Sequence, residues 1–222
     1  MNPEEFAEQG INLSIKGDQY RAIQLFDKAI KINPKPDFIY NRGLAKFFSS
    51  DFEGALKDFD SAINIDPNIC DYYIKRGDTK QELLDWNGAL EDYNNGLALD
   101  PFNTDGWTNL GNLYDHMGNP DKAIKQYQNT LNIDPKDVDA LYNLGVTWKK
   151  LGKIKKAIKC YDNVLKINPH YLPAITNRAN CKWELGNYKS SQKDYSLAIS
   201  IDKEWVSKNF GEKINERLNM KF

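Results

Sequence analysis

The chain has 222 residues and a balanced charge, 30 Lys plus Arg against 31 Asp plus Glu, so nothing draws it generally to nucleic acid or to an anionic membrane surface. No run approaches the roughly 18–20 apolar residues of a membrane-spanning helix, and the opening MNPEEFAEQG is acidic and polar where a secretory signal would be basic and then apolar. Three scattered cysteines (Cys70, Cys160, Cys181) and two histidines (His116, His170) lack the spacing of a disulfide scaffold or a metal site. The cysteines read as small apolar fillers, no cofactor is expected, and a cytoplasmic location is the default expectation.

From the N-terminus onward the chain repeats itself. Residues 3–35 carry Gly10, Ala22, Phe26 and Pro34. The same places hold Gly43, Ala55, Phe59 and Pro67 in residues 36–69, and Gly77, Ala89, Tyr93 and Pro101 in residues 70–103. They hold Gly111, Ala123, Tyr127 and Pro135 in residues 104–137, then Gly145, Ala157, Tyr161 and Pro169 in residues 138–171. Residues 172–203 keep the phase in worn form, with Ala179, Ser191, Tyr195 and Lys203. The step is 33 residues once and 34 thereafter, and several registers share it, so the repeat is the organising feature of the chain.

Each unit reads as a pair of helices. In the fourth, Trp107, Leu110, Leu113, Tyr114 and Met117 fall at the three-and-four spacing of an amphipathic helix. The turn GNPD follows, with Gly118 suited to a helix end and Pro120 to a helix start. Ala123, Ile124, Tyr127 and Leu131 then share one face of a second helix. Glycine inside a helix costs about 1 kcal/mol against alanine, so the recurring glycine predicts close approach of the paired helix at the recurring alanine. The linker NIDP, at 64–67 and 132–135, predicts an isoleucine packed at the end of the second helix. Its proline stops that helix and pushes the preceding residue into an extended conformation. After Asp202, Trp205, Val206, Phe210, Ile214 and Leu218 predict an apolar face for a helix over 204–222 that caps the array. Lys203, Lys208, Glu212, Lys213, Glu216 and Arg217 cover its polar side, and Gly211 is a candidate break.

The series Trp107-x-x-Leu110-Gly111-x-x-Tyr114, Ala123-x-x-x-Tyr127 and Pro135 resembles the tetratricopeptide repeat pattern. The resemblance covers six units over residues 1–203, closest in units four and five. It implies an all-α, right-handed α-solenoid of helix–turn–helix repeats whose first helices line a concave groove. There is no glycine-rich phosphate loop, no Gly-x-Ser-x-Gly elbow and no His-Glu-x-x-His, and the carboxylates recur in phase with the repeat. The expectation is a non-catalytic protein–protein interaction scaffold that takes a protein or peptide ligand in its groove.

Carried onto this sequence, the family's groove positions name the candidate residues. The sixth place of each unit holds Glu8, Asn41, Lys75, Asn109, Asn143 and Asn177, and the asparagines could form an amide ladder that binds peptide backbone. Asn112 stands at another groove place. Asp71, Asp105 and Asp139 sit in the first turns, where they also complement the helix dipole. With Glu8, Asp78, Glu82, Asp115 and Glu184 they predict an acidic groove, opposed by Lys75, Lys149 and Lys150, and hence a neutral or basic ligand. Tyr40, Leu44, Phe48 and Tyr142, with Phe47, Val146 and Trp183, are the candidate apolar anchors. Trp107 and Trp148 are read as repeat core. The resemblance also disfavours an Hsp70/Hsp90 carboxylate clamp, because Ala7, Ile11, Asn41, Asp71 and Lys75 stand where the family's clamp is basic or amide. A lysine-rich edge (Lys149, Lys150, Lys153, Lys155, Lys156, Lys159) admits an alternative, a salt-dependent homo-oligomer built by head-to-tail contact.

Overall fold

A computed structural model describes residues 2–220, with the side chains of 211–213 and 215 outside the description, so that Glu212 and Lys213 of the expected polar face are not covered. Among the described residues there are thirteen helices and no strand. They run α1 Pro3–Ile15, α2 Gln19–Ile32, α3 Pro36–Phe48, α4 Phe52–Ile65, α5 Cys70–Glu82, α6 Trp86–Leu99 and α7 Thr104–His116. Then follow α8 Pro120–Ile133, α9 Val138–Lys150, α10 Ile154–Ile167, α11 Leu172–Glu184, α12 Tyr188–Ile201 and α13 Lys203–Asn219. None is long and apolar enough to cross a membrane.

The chain forms two compact units, one ending at Leu113 and one beginning at Tyr114. In the first, α1 packs on α2, α3 on α4 and α5 on α6, while α2 meets α3 and α4 meets α5. In the second, α9 packs on α10 and α11 on α12, with α8 against α9, α10 against α11 and α12 against α13.

The recurring alanines Ala22, Ala55, Ala89, Ala123 and Ala157 are fully buried, as are the aromatic rings of the second helices. The recurring glycines make room for those rings and not for the alanines. A Cβ on Gly43 would stand 2.8 Å from Phe59 Cε1, one on Gly77 2.8 Å from Tyr93 Cε1, and one on Gly145 2.7 Å from Tyr161 Cε1. In the worn sixth unit Ser191 is buried, and its hydroxyl donates to the Ala179 carbonyl at 2.7 Å, which satisfies the extra polar atom.

The linkers correct a second expectation. Asp66, Asp100, Asp134 and Asn168 are extended, as a following proline requires. The aliphatic residue before each is not fully packed away: Ile65, Leu99, Ile133 and Ile167 are 52%, 43%, 37% and 40% exposed. The carboxylate carries the order instead, Asp66 accepting from the Asn68 N–H at 3.0 Å and Asp100 from the Phe102 N–H at 2.9 Å. Asp202 keeps the extended conformation without a proline and caps α13 by accepting from the Trp205 N–H at 2.8 Å. That helix runs unbroken through Gly211. It buries Val206 and Ile214 against Ile175, Tyr195 and Ala198. Arg217, expected on the outer face, lies instead over the Trp183 ring at 4.9 Å and donates to Asn180 Oδ1 at 2.7 Å.

The turn inside each pair needs one residue at positive φ. Gly17, Gly118, Gly152 and Gly186 fill that place, but Ser50 (φ 66°) and Leu84 (φ 62°) fill it in the second and third pairs. A side chain there costs about 1–2 kcal/mol. Leu84 is 69% exposed and gives little packing in return, so Leu84→Gly is expected to raise stability by about 1 kcal/mol in chemical denaturation. A lower midpoint would contradict this account of the turn.

Buried ion networks recur on the same pairs. Arg76 makes a two-pronged bond to Asp92 (2.9 and 2.6 Å) and a third to Asp60 (2.8 Å), while Lys80 reaches Asp92 at 2.8 Å. Arg42 and Lys46 hold Asp58 and Asp27 in the same way. Arg178 and Lys182 hold Asp194 and Asp162 likewise.

Candidate ligand-binding groove

In the first unit the first helices α1, α3 and α5 leave open pockets that use most of the predicted groove residues. One, of about 620 Å³, is lined by Ile11, Ile15, Leu44 and Phe48, with Asn41 and the edge of Phe26. A second, of about 640 Å³, is lined by Glu4, Glu8, Asp37, Asp71, Tyr40 and Tyr72 among others. A smaller polar one, of about 260 Å³, gathers Phe47, Lys75, Asp78, Glu82, Asn109 and Asn112.

The helices set these positions. Asn41 and Leu44 lie one turn apart on α3 with Phe48 one turn further on, so they share a face. Tyr40 lies half-buried, its ring 5.6 Å from Phe59 and 4.9 Å from Tyr72, and burial, with Asp71 and Asp78 nearby, pushes its phenol far up. Tyr40 is therefore as much packing as anchor. Phe48 is 64% exposed, while Phe47 stacks edge-on with Phe52 at 5.5 Å.

The polar pocket is organised by Asp78, a groove acid whose central place the sequence does not reveal. It accepts from Lys75 Nζ at 2.9 Å, from the Tyr93 hydroxyl at 2.8 Å and from Asn109 Nδ2 at 2.8 Å. Burial alone would lower the Lys75 pKa, but Asp78 beside it outweighs that and leaves it raised. Asn109 thus spends a donor inside the protein. The sequence signal for this hub is the acid three residues after Lys75, a spacing that faces the two together.

Several groove acids are likewise engaged. Asp37 accepts from the Tyr72 hydroxyl at 2.7 Å, Asp71 from Asn103 Nδ2 at 3.3 Å, and Glu4 pairs with Lys35 at 2.7 Å. The Lys35 hydrogen bond holds the exposed Glu4 carboxyl below the usual range. Glu8 has no hydrogen bond or ion pair among the described residues, and Asp105 lies exposed in the first turn of α7.

The second unit differs. Asn177 donates to the Tyr142 hydroxyl at 2.9 Å and accepts from Lys149 at 3.2 Å, so both ends of its amide are used. Asn143 is half-buried and Asp139 exposed. Lys150 pairs with Asp115 at 2.5 Å. Trp183 lies beneath Arg217 and edge-on to Tyr188, so the capping helix takes one face of this expected anchor. Trp148 packs in the core, with Lys156 over its ring at 4.1 Å, and half-buried Trp107 donates to the Pro101 carbonyl at 2.9 Å.

Tetratricopeptide repeat family models match residues 104–137, 138–171 and 172–204, and the pairs before residue 104 repeat the same helix lengths and the same buried positions. Residues 104–204 are therefore tetratricopeptide repeats. No curated protein matches the sequence. Among solved structures, the protein is similar to MamA, at 23% identity and a TM-score of 0.66, over 74% of this chain and 96% of that one. It is similar to a tetratricopeptide repeat protein from Parabacteroides merdae ATCC 43184, at 19% identity and a TM-score of 0.70, over 97% of both chains. It is also similar to YrrB, described as a TPR protein with an unusual peptide-binding site, at 20% identity and a TM-score of 0.62, over 81% and 93% of the two chains. At these identities the likeness is one of fold. The repeat family is in general a non-catalytic interaction scaffold, and its fold supports protein or peptide partners.

The cysteines fit their expected role as filler. Cys160 and Cys181 are buried and Cys70 half-buried, and burial pushes all three thiols up to about 11. The thiolate is the reactive form. The folded protein is therefore expected to react with a disulfide reagent at pH 8 at least about tenfold more slowly than the same protein in denaturant. Rapid labelling of all three thiols in the folded chain would contradict this.

Proposed function

We propose that this protein is a non-catalytic scaffold that holds a peptide or an extended protein segment, neutral or basic, on the face formed by its first helices. The observation that carries the reading is the contrast between the two helices of a pair. Second helices bury their aromatic series completely, at Phe26, Phe59, Tyr93, Tyr161 and Tyr195, whereas first helices leave Ile11, Phe48 and part of Leu44 uncovered beside carboxylates. Apolar side chains left open in concave surface, with a few polar groups around them, suit a ligand that supplies the missing contacts. Asn41, Asn109, Asn112 and Asn143 would contribute amides, and Asp71, Asp105 and Asp139 would set the preference for positive charge. The paired state of Asn109 and Asn177 shifts the reading away from an amide ladder as the main grip and toward the apolar anchors.

Affinity capture from native lysate tests it. Partners held by the wild-type protein are expected to be lost with Leu44→Lys and kept with Tyr20→Lys on α2, where Tyr20 is 74% exposed. Partners kept by both variants would count against the first-helix face. The alternative, a head-to-tail homo-oligomer through the lysine edge, predicts a mass at low salt that falls as ionic strength rises.

A further inference from the structure

The two larger pockets of the first unit are neighbours with opposite chemistry. They share Ile11 and Asn41 as a common wall. On one side, no lining residue carries a charge, and Ile11, Ile15 and Phe48 are 39%, 80% and 64% exposed. On the other side four carboxylates (Glu4, Glu8, Asp37, Asp71) line the space and no lysine or arginine does. The shared wall has a polar group of its own. Asn41 donates Nδ2 to the Asp37 carbonyl at 2.7 Å, which leaves Oδ1 as an acceptor without a partner among the described residues.

We propose that this pair of pockets is a two-part recognition site for a protein segment in which a bulky aliphatic or aromatic side chain is followed within a few residues by lysine or arginine. The inference rests on the groove reading above and gives it an address and a ligand class. The apolar side chain fills the space between α1 and α3 and covers Ile15 and Phe48. The cation lies among the carboxylates, where Glu8 is the acid without a pairing of its own. Asn41 Oδ1 accepts a backbone N–H of the segment at the crossing point. Each pocket has ample room for a large side chain and adjoining backbone. A purely apolar ligand would leave the carboxylates uncompensated. A purely basic one would leave Phe48 and Ile15 open to water.

Three fluorescein-labelled peptides of equal length on a glycine–serine backbone test the site by anisotropy with the full chain. One carries Phe-Leu followed by Lys-Arg, one replaces Lys-Arg by Glu-Glu, and one replaces Phe-Leu by Ala-Ala. The first is expected to bind at least about tenfold more tightly than either of the others at low salt. Phe48→Ala should remove the preference over the Ala-Ala peptide, and Glu8→Lys the preference over the Glu-Glu peptide. Both residues are exposed, and unchanged circular dichroism verifies the fold. Equal affinity for the three peptides, or no binding of the first up to about 1 mM, overturns the proposal. If the first peptide binds but ignores both variants and is lost with Asn112→Ala or Asp105→Lys, the two-part site is wrong and the groove reading stands. If binding ignores all four variants, both fail.

Discussion

Arg76→Ala is expected to destabilise the first unit by about 3–5 kcal/mol, the usual cost of stripping one partner from a buried ion network. The Asp92 side chain is 1% exposed and depends on Arg76 and Lys80 for compensation. Without the guanidinium its charge stays buried with one ammonium beside it. The chain itself supplies the contrasting experiment. At the places of Arg76, Lys80 and Asp92, unit four has Leu110, Tyr114 and Gln126, and unit five has Leu144, Trp148 and Cys160. The acid on the preceding second helix changes too: Asp60 faces Arg76, while Asn94 and Gln128 precede the leucines. Arginine appears only where both acids are present, so the three charged units and the two apolar ones are alternative solutions to one packing problem. Concerted replacement of Arg76, Lys80, Asp92 and Asp60 by Leu, Tyr, Gln and Asn should therefore leave stability within about 1 kcal/mol of the starting protein or raise it. Hydrogen exchange of the α5 and α6 amides reads the local effect. A four-fold variant as unstable as Arg76→Ala would show that the network itself, and not its completeness, holds the unit.

Tyr161→Phe and Tyr93→Phe should move stability in opposite directions. Both tyrosines occupy the same place in their units and both are buried. The Tyr93 hydroxyl donates to Asp78, and Tyr195 donates to Asn180 at 2.8 Å. The Tyr161 hydroxyl is buried with no hydrogen-bond partner among the described residues. The residue facing each ring explains the difference: the place of Asp78 and Asn180 is taken in the fifth unit by Val146, which packs in the Tyr161 cluster. Units one and two resolve the same conflict with phenylalanine, setting Phe26 with Ile11 and Phe59 with Leu44. A buried polar atom without a partner costs about 1–3 kcal/mol, and a hydrogen bond to a charged group contributes about 1.5–3. Tyr161→Phe is thus expected to stabilise by about 1 kcal/mol or more, and Tyr93→Phe to destabilise by about 1.5 kcal/mol or more. Equilibrium denaturation of the two variants checks the signs. A loss for Tyr161→Phe would mean that its hydroxyl finds a partner in solution.

Fold and register were legible because a 34-residue period fixes which residues share a face before any contact is known. The extended linker residues and the buried alanine series both followed from that period. What did not follow depended on partners across helices. A glycine announces close approach but not its object, which is the ring of Phe59 or Tyr93 and not an alanine. The isoleucine of NIDP lies one residue before the chain leaves the helix, too late to reach the core. Arg217 has the composition of an outer face, yet its guanidinium finds Trp183 and Asn180. The asparagines of the groove were legible as a series, but an amide within reach of Asp78 or Tyr142 bonds to its own protein first. The sequence does carry a signal for the ion networks: Arg-x-x-x-Lys at 42–46, 76–80 and 178–182, each followed by an aspartate twelve residues after the lysine.

The central claim, that the first-helix face of the N-terminal unit takes an apolar segment with adjacent positive charge, is tested most directly by amide NMR. The ¹⁵N-labelled protein is titrated with the Phe-Leu-Lys-Arg peptide. The account predicts shift changes gathered on α1, α3 and α5, strongest around Glu8, Ile11, Asn41, Leu44 and Phe48. Changes confined to the outward residues of α2 and α4, such as Tyr20 and Ile65, would contradict it.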